Sequence, residues 1–128
     1  MKKIRFEWDQ NKVAVNKMKH GISFIEAQTV FYDDQALVID DPDHSEKEER
    51  FIILGISEKT NLLVVCHCYR LNETIVRLIS ARRATKKEIS QYIDFNKRWS
   101  YERWIRFFYR EIKSLREKNK KTNYNQYR

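Results

Sequence analysis

The sequence predicts a small α+β domain: an N-terminal strand, two helices, an antiparallel sheet of about four to five strands and a long C-terminal helix. Three observations carry this. Apolar residues recur in strand-length runs, most densely in the adjoining stretches Leu62–Tyr69 and Thr74–Ala81. Helix signals stand twice near the start: Asp9 and Gly21 bracket Gln10–His20, and Ser23 precedes Glu26 by three residues. After Thr85, neither Gly nor Pro occurs again in the 128 residues.

Taken in order, Ile4–Trp8 alternates apolar Ile4, Phe6 and Trp8 with charged Arg5 and Glu7, the pattern of a half-buried strand. Asp9 is placed to cap Gln10–His20, which Gly21 stops, and Lys17, Lys19 and His20 suit the negative end of that helix dipole. Ser23 and Glu26 predict a capping box for a second helix, with Phe24, Ala27, Val30 and Phe31 as its apolar stripe. Ala36–Asp40 is a brief strand, and Asp41–Glu49, acidic and holding Pro42, an exposed loop. Arg50–Ser57 is apolar on both parities, as in a strand covered on both faces, and Gly55 within it signals a close approach or a bulge. Leu62–Tyr69, a turn at Leu71-Asn72-Glu73 and Thr74–Ala81 complete a hairpin. Thr85 and Glu88 predict a capping box for the last helix, with Ile89, Tyr92, Ile93 and Trp99 facing inward. Ile105, Phe108, Ile112 and Leu115 then follow at spacings of three and four, a seam for packing on the same sheet or for a second copy through residues 105–115.

Composition narrows the class. A chain of this length suits one domain, with 100–128 a basic helical extension whose end, Lys118–Arg128, frays. No stretch approaches the roughly 18 to 20 apolar residues of a membrane span, and the start is charged, so a cytoplasmic protein without membrane contact is expected. Cys66 and Cys68, two apart on one strand, read as reduced core thiols, with His67 pointing away from both, which argues against a metal. The net charge of +8 lies in the tail: residues 1–96 hold fifteen basic and fifteen acidic side chains, 97–128 eleven and three. Within the neutral part Asp33–Glu49 is acidic and Arg70–Lys87 basic, the distribution of a face that attracts nucleic acid or an acidic protein.

The hairpin carries the chemistry. It holds His67, Tyr69, Arg70, Arg77, Ser80, Arg82 and Arg83, and guanidinium inside a strand must either be paired or line an open face. Strict alternation places His67 with Tyr69 on one face, and Arg77, Ala81 and Arg83 together on one face of the next strand. A register that brings His67 to Arg77 would gather imidazole, phenol and guanidinium on one patch. Such a set can cleave RNA without a metal or other cofactor, because the 2′-hydroxyl attacks its own phosphodiester while cations stabilise the transition state. No nucleotide loop, serine elbow or zinc signature is present.

The segments FEWDQNKVAVNKMKHGISFIEA, ERFIILG, LLVVCHCYR and VRLISARRATKKE resemble the BrnT family of small bacterial toxins. The likeness runs from about Ile4 to Trp99 and includes Trp8, Asp9, Lys12, Asn16, Lys19, His20, Gly21, Glu26, Arg50, Gly55, His67, Arg70, Arg77, Ser80, Ala81, Arg82, Arg83 and Lys87. It implies a RelE-like fold over 1–99, an endoribonuclease that halts translation, and a BrnA-type antitoxin whose complex represses its own operon, so that operator DNA is met only through that complex. On this reading His67, Arg70, Arg77 and Arg83 are the catalytic candidates. Tyr69, Ser80, Arg82, Lys86, Lys87, Lys19 and His20 are the RNA-binding ones. A non-catalytic module using the same basic face is the alternative, and for His67 a satisfied half-buried histidine stands beside the catalytic reading.

Overall fold

A computed structural model describes residues 4–41 and 49–122. The chain divides into two compact units, Met1–Tyr92 and Ile93–Arg128. Its elements are β1 (Arg5–Glu7), α1 (Gln10–His20), α2 (Phe24–Gln28), a 3₁₀ turn (Thr29–Tyr32), β2 (Leu37–Asp40), β3 (Phe51–Ile56), β4 (Leu62–Arg70), β5 (Ile75–Arg83) and α3 (Lys86–Thr122). The five strands form one sheet in the order β1-β5-β4-β3-β2. Most of the expected acidic loop (residues 42–48) and the end of the expected fraying tail (residues 123–128) lie outside the described residues.

The sheet is mixed, which corrects the expectation of an antiparallel one. β2 to β5 form an antiparallel meander, but β1 runs parallel to β5, with Arg5, Phe6 and Glu7 opposite Ile75, Val76 and Arg77. Parallel neighbours need a long connection, and everything from α1 to β4 supplies it. The hairpin turn falls where expected, and its cost is visible in the backbone. Leu71, Asn72 and Glu73 have φ of 51°, 54° and 67°, a left-handed run that an Asn tolerates and the other two resist by roughly 1 kcal/mol each.

One face of the sheet is covered by α1, α2 and the 3₁₀ turn. Ile22, Phe24, Ala27 and Val30 pack there on Ile53, Leu63, Val65, Val76, Leu78 and Ala81. The opposite face carries a smaller cluster of Leu54, Val64 and Tyr92. Gly55 has the close approach its position suggested: a Cβ there would stand 2.8 Å from Val30 Cγ1 and 2.9 Å from the Ala36 Cβ. Of the residues expected to face inward along α3, Tyr92 is buried, whereas Ile89 and Ile93 are exposed and the Trp99 side chain lies outside the description. In the second unit Ile105, Phe108, Ile112 and Leu115 are exposed along the helix.

The caps explain two local choices. Thr85 and Glu88 form the full capping box, Glu88 N donating to Thr85 Oγ1 at 3.2 Å and Thr85 N to Glu88 Oε1 at 2.8 Å. At α2 only half of the box forms. Glu26 N donates to Ser23 Oγ at 3.1 Å, but the Glu26 carboxylate is taken by Ser57 Oγ at 2.7 Å and Asn61 Nδ2 at 2.8 Å from the β3–β4 turn. A buried carboxylate needs donors, and two from across the fold replace the single local amide.

Asn16 fastens α1 to β5. Its buried amide donates to Ile22 O and Ala81 O, each at 2.9 Å, and accepts from Ala81 N at 3.0 Å. These backbone groups have no water to turn to, so Asn16→Ala leaves them orphaned. We expect Asn16→Ala to destabilise the fold by about 3 kcal/mol, read in urea melts as a lower midpoint at unchanged slope. A loss under about 0.5 kcal/mol would mean the strand does not depend on this amide.

Candidate functional site

β5 decides which of the candidate side chains meet. His67 lies opposite Leu78 and Cys66 opposite Ser80, so Ile79 is an extra residue and the parity of β5 changes there. Ahead of it Arg77 shares a face with Ile75; beyond it Ala81 and Arg83 point to the helix-covered face and Ser80 and Arg82 to the other. This corrects the strict alternation that grouped Arg77 with Ala81 and Arg83. It also separates His67 from Arg77: the histidine faces the helices, the arginine the opposite side.

Arg77 instead meets Arg70. Both guanidinium groups reach Glu7 of β1, Arg70 Nη1 at 3.1 Å and Arg77 Nη1 at 3.0 Å from the same oxygen, Oε1. Side-chain exposures of 55% for Arg70, 33% for Arg77 and 35% for Glu7 leave the group open to solvent. Register puts the exposed Arg5 on this face too, opposite Ile75 and one row from Glu7. Two guanidinium groups on one carboxylate, with Arg5 on the same face, give these residues an excess of positive charge. The Arg77 hydrogen bond, opposed by slight burial and joined by the charges of Arg70 and Arg77, holds Glu7 below the usual carboxylate range. Arg5 and Glu7 appear in the sequence only as the polar half of an alternating strand. Their role comes from parallel pairing with a strand some seventy residues later, which no local pattern announces.

The other arginines are elsewhere. Arg82 forms a two-pronged pair with Glu88, at 2.8 and 2.9 Å, and that bond above all lowers the Glu88 carboxyl to about 2. With Thr85 and Glu88 already bonded to first-turn amides, the start of α3 holds its own anion. Arg83, on the helix-covered side, donates to Asn61 Oδ1 at 2.9 Å. Near it burial pushes Glu26 up, but hydrogen bonds from Asn61 and Ser57 and the charges of Lys59 and Arg83 outweigh this and leave it below its ordinary value. Lys86 and Lys87 are exposed in the first turn of α3, and Lys19 and His20 end α1.

His67 and Tyr69 do share a face, as the alternation predicts, but His67 is wholly buried. The ring packs edge-on against Phe31, with centroids 4.7 Å apart, and beside Phe51 and Tyr69. Nδ1 lies 3.1 Å from Val65 O, an acceptor only, so Nδ1 carries the proton; Nε2 then accepts from the Tyr69 hydroxyl at 3.2 Å. Burial lowers the His67 pKa, with the Val65 bond opposing, and raises that of Tyr69 together with the charge of Glu73. Cys66 and Cys68 are not in a disulfide; burial, then the bond to Asp41 Oδ2, pushes the Cys66 thiol up to about 12, so it stays protonated. Among the described residues no group of three His, Cys, Asp or Glu stands where it would hold a metal, and no helix is long and apolar enough to cross a membrane.

Residues 8–88 match the family model of the BrnT ribonuclease toxin of type II toxin-antitoxin systems. In fold the chain is similar to the crystal structure of the Brucella abortus ribonuclease toxin BrnT, at a TM-score of 0.50 and 21% identity, over 66% of this chain and 100% of that one. No curated protein sequence matches.

The histidine makes a checkable claim. Because its folded pKa lies below the ordinary 6.5, the unfolded chain takes up a proton below that pH that the folded chain does not, so stability falls as pH drops through it. We expect ¹⁵N NMR to show His67 protonated on Nδ1 alone and neutral down to lower pH than a solvent-exposed imidazole; an ordinary titration would show the ring open to water.

Proposed function

Because the chain belongs to the BrnT family of ribonuclease toxins of type II toxin-antitoxin systems, we propose that it is a metal-independent endoribonuclease that cuts RNA on the face formed by Arg5, Arg70 and Arg77 and so arrests translation. The observation that carries this is the meeting of Arg70 and Arg77 on a single solvent-open carboxylate oxygen. Guanidinium groups from two adjacent strands, set about one small anion, have the spacing a phosphodiester needs.

RNA brings its own nucleophile. The 2′-hydroxyl attacks the adjacent phosphorus, the 5′-oxygen leaves, and a 2′,3′-cyclic phosphate remains. The protein has to neutralise the charge gathering on the non-bridging oxygens, and Arg70 and Arg77 are placed to do so. His67, buried with both ring nitrogens engaged, serves in this reading to hold Tyr69. Arg83, Lys86, Lys87, Lys19 and His20 are left for the flanking RNA chain, with Ser80 on the cutting face. Arg82, committed to Glu88, orients the start of α3.

A BrnA-type antitoxin is the proposed inhibitor, operator DNA being met only in that complex, and the cytoplasm the proposed compartment. A RelE-like description of 1–99 and a second copy meeting through residues 105–115 belong to the same reading, the latter because Ile105, Phe108, Ile112 and Leu115 are exposed. In a cleavage assay with single-stranded RNA, we expect cyclic-phosphate ends, activity that survives EDTA, and rates lowered about 10²-fold or more by Arg70→Ala or Arg77→Ala. Tight binding of RNA without cleavage would instead make this face a binding module.

A further inference from the structure

This inference rests on the reading of the Arg70 and Arg77 face as the one that cuts RNA. We propose that Glu7 is the general base of that reaction: Arg70 and Arg77 hold its Oε1 until the phosphate takes them up, and its open Oε2 accepts the 2′-hydroxyl proton.

The geometry distinguishes the two carboxylate oxygens. Both guanidinium groups reach Oε1, at 3.1 and 3.0 Å, and among the described residues no hydrogen bond reaches Oε2. The carboxylate is thus fixed at one oxygen and presented at the other, within the cationic group that would hold the phosphate. Other acidic groups lack this arrangement. Asp33 spends Oδ1 on Gln35 N and Oδ2 on Ile56 N and the Tyr92 hydroxyl. Glu88 has both oxygens on Arg82, and Glu26 is buried on the other face. His67 is buried on that face too, with both nitrogens engaged.

The charged groups that reach Glu7 are Arg77 on β5 and Arg70 on β4, and Arg5 lies two residues away on the same face of its own strand. With no substrate bound, Arg77 and Arg70 keep Glu7 ionised and weakly basic. A phosphate that takes up the two guanidinium groups withdraws those bonds, and the carboxylate becomes a stronger base as the substrate arrives.

In the step itself the O2′–H bond breaks and its proton goes to Oε2, O2′ bonds to phosphorus, and the bond from phosphorus to O5′ breaks. The 5′-oxygen takes a proton from water, and Glu7 returns its own to the hydroxide left behind. The reaction consumes no electron and no net proton.

The experiment uses the full chain with Glu7→Gln and Glu7→Asp. Single-turnover cleavage of a single-stranded RNA is followed across pH, and binding is measured with the uncleavable 2′-O-methyl form of the same oligonucleotide. We expect Glu7→Gln to cut at least about 10²-fold more slowly yet bind as tightly or more so, since a negative charge beside the phosphate is gone. The wild type should lose rate with unit slope toward acid pH, Glu7→Gln should lack that limb, and Glu7→Asp should keep part of the rate. Cleavage by Glu7→Gln within about threefold of wild type would overturn the proposal, a true base being worth about 10²-fold or more. Loss of binding together with cleavage would also overturn it, by making Glu7 only a clamp for two arginines. If the wild type itself cuts no RNA, it is the reading of the face that has failed, and the inference falls with it.

Discussion

Val76, Leu78 and Ala81 all have to reach one core, and they are spaced two and then three residues apart, so β5 must carry one extra residue. Strict alternation would turn Ser80 and Arg82 toward the helices and Ala81 away. Burying an unpaired guanidinium there costs far more than a local break in the ladder. Ile79 absorbs the mismatch, and Asn16 holds the strand immediately beyond it by bonding both backbone groups of Ala81. From this one constraint follows the assignment of every arginine on the strand: Arg77 joins Arg70 on the open face, Arg82 turns to Glu88, and Arg83 faces Asn61.

That constraint also marks where the sequence can be read and where it cannot. The hairpin, its turn at Leu71-Asn72-Glu73, the α1 boundaries and the Thr85 capping box are local, set by residues within one turn of each other, and the structure has them where local rules put them. The face of each β5 residue is not local in that sense. The spacing of Val76, Leu78 and Ala81 does encode the bulge, but only once those three are known to share a core. Glu26 fits a capping box equally well, yet its carboxylate bonds to Ser57 and Asn61, thirty-odd residues away.

The candidate site was legible by residue type and illegible by arrangement. Arg70 and Arg77 stand out because guanidinium is costly inside a strand, and the structure brings these two together. Glu7 does not stand out, since an acidic residue alternating with Phe6 and Trp8 is an ordinary solvent-facing choice. Its meaning depends on β1 lying parallel to β5, a pairing between chain segments with no sequence signal in common. His67 shows the reverse: a reactive residue type that the fold buries wholly among Phe31, Phe51 and Tyr69.

The arginine pairs differ in what they can give up. Arg82 and Glu88 are joined by two parallel bonds, and the Thr85 amide holds Glu88 in place at the start of α3, so releasing Arg82 would break two charge-assisted bonds to a fixed carboxylate. Arg70 and Arg77 share a single oxygen of a third-exposed carboxylate, and open pairs of that kind contribute only about 0–1 kcal/mol. An incoming phosphate can therefore draw them from Glu7 at little expense, whereas the Arg82 pair resists the same exchange. Until that happens the carboxylate keeps two like charges close together and oriented, which is the state that the proposed phosphate-binding role of Arg70 and Arg77 requires before a substrate comes.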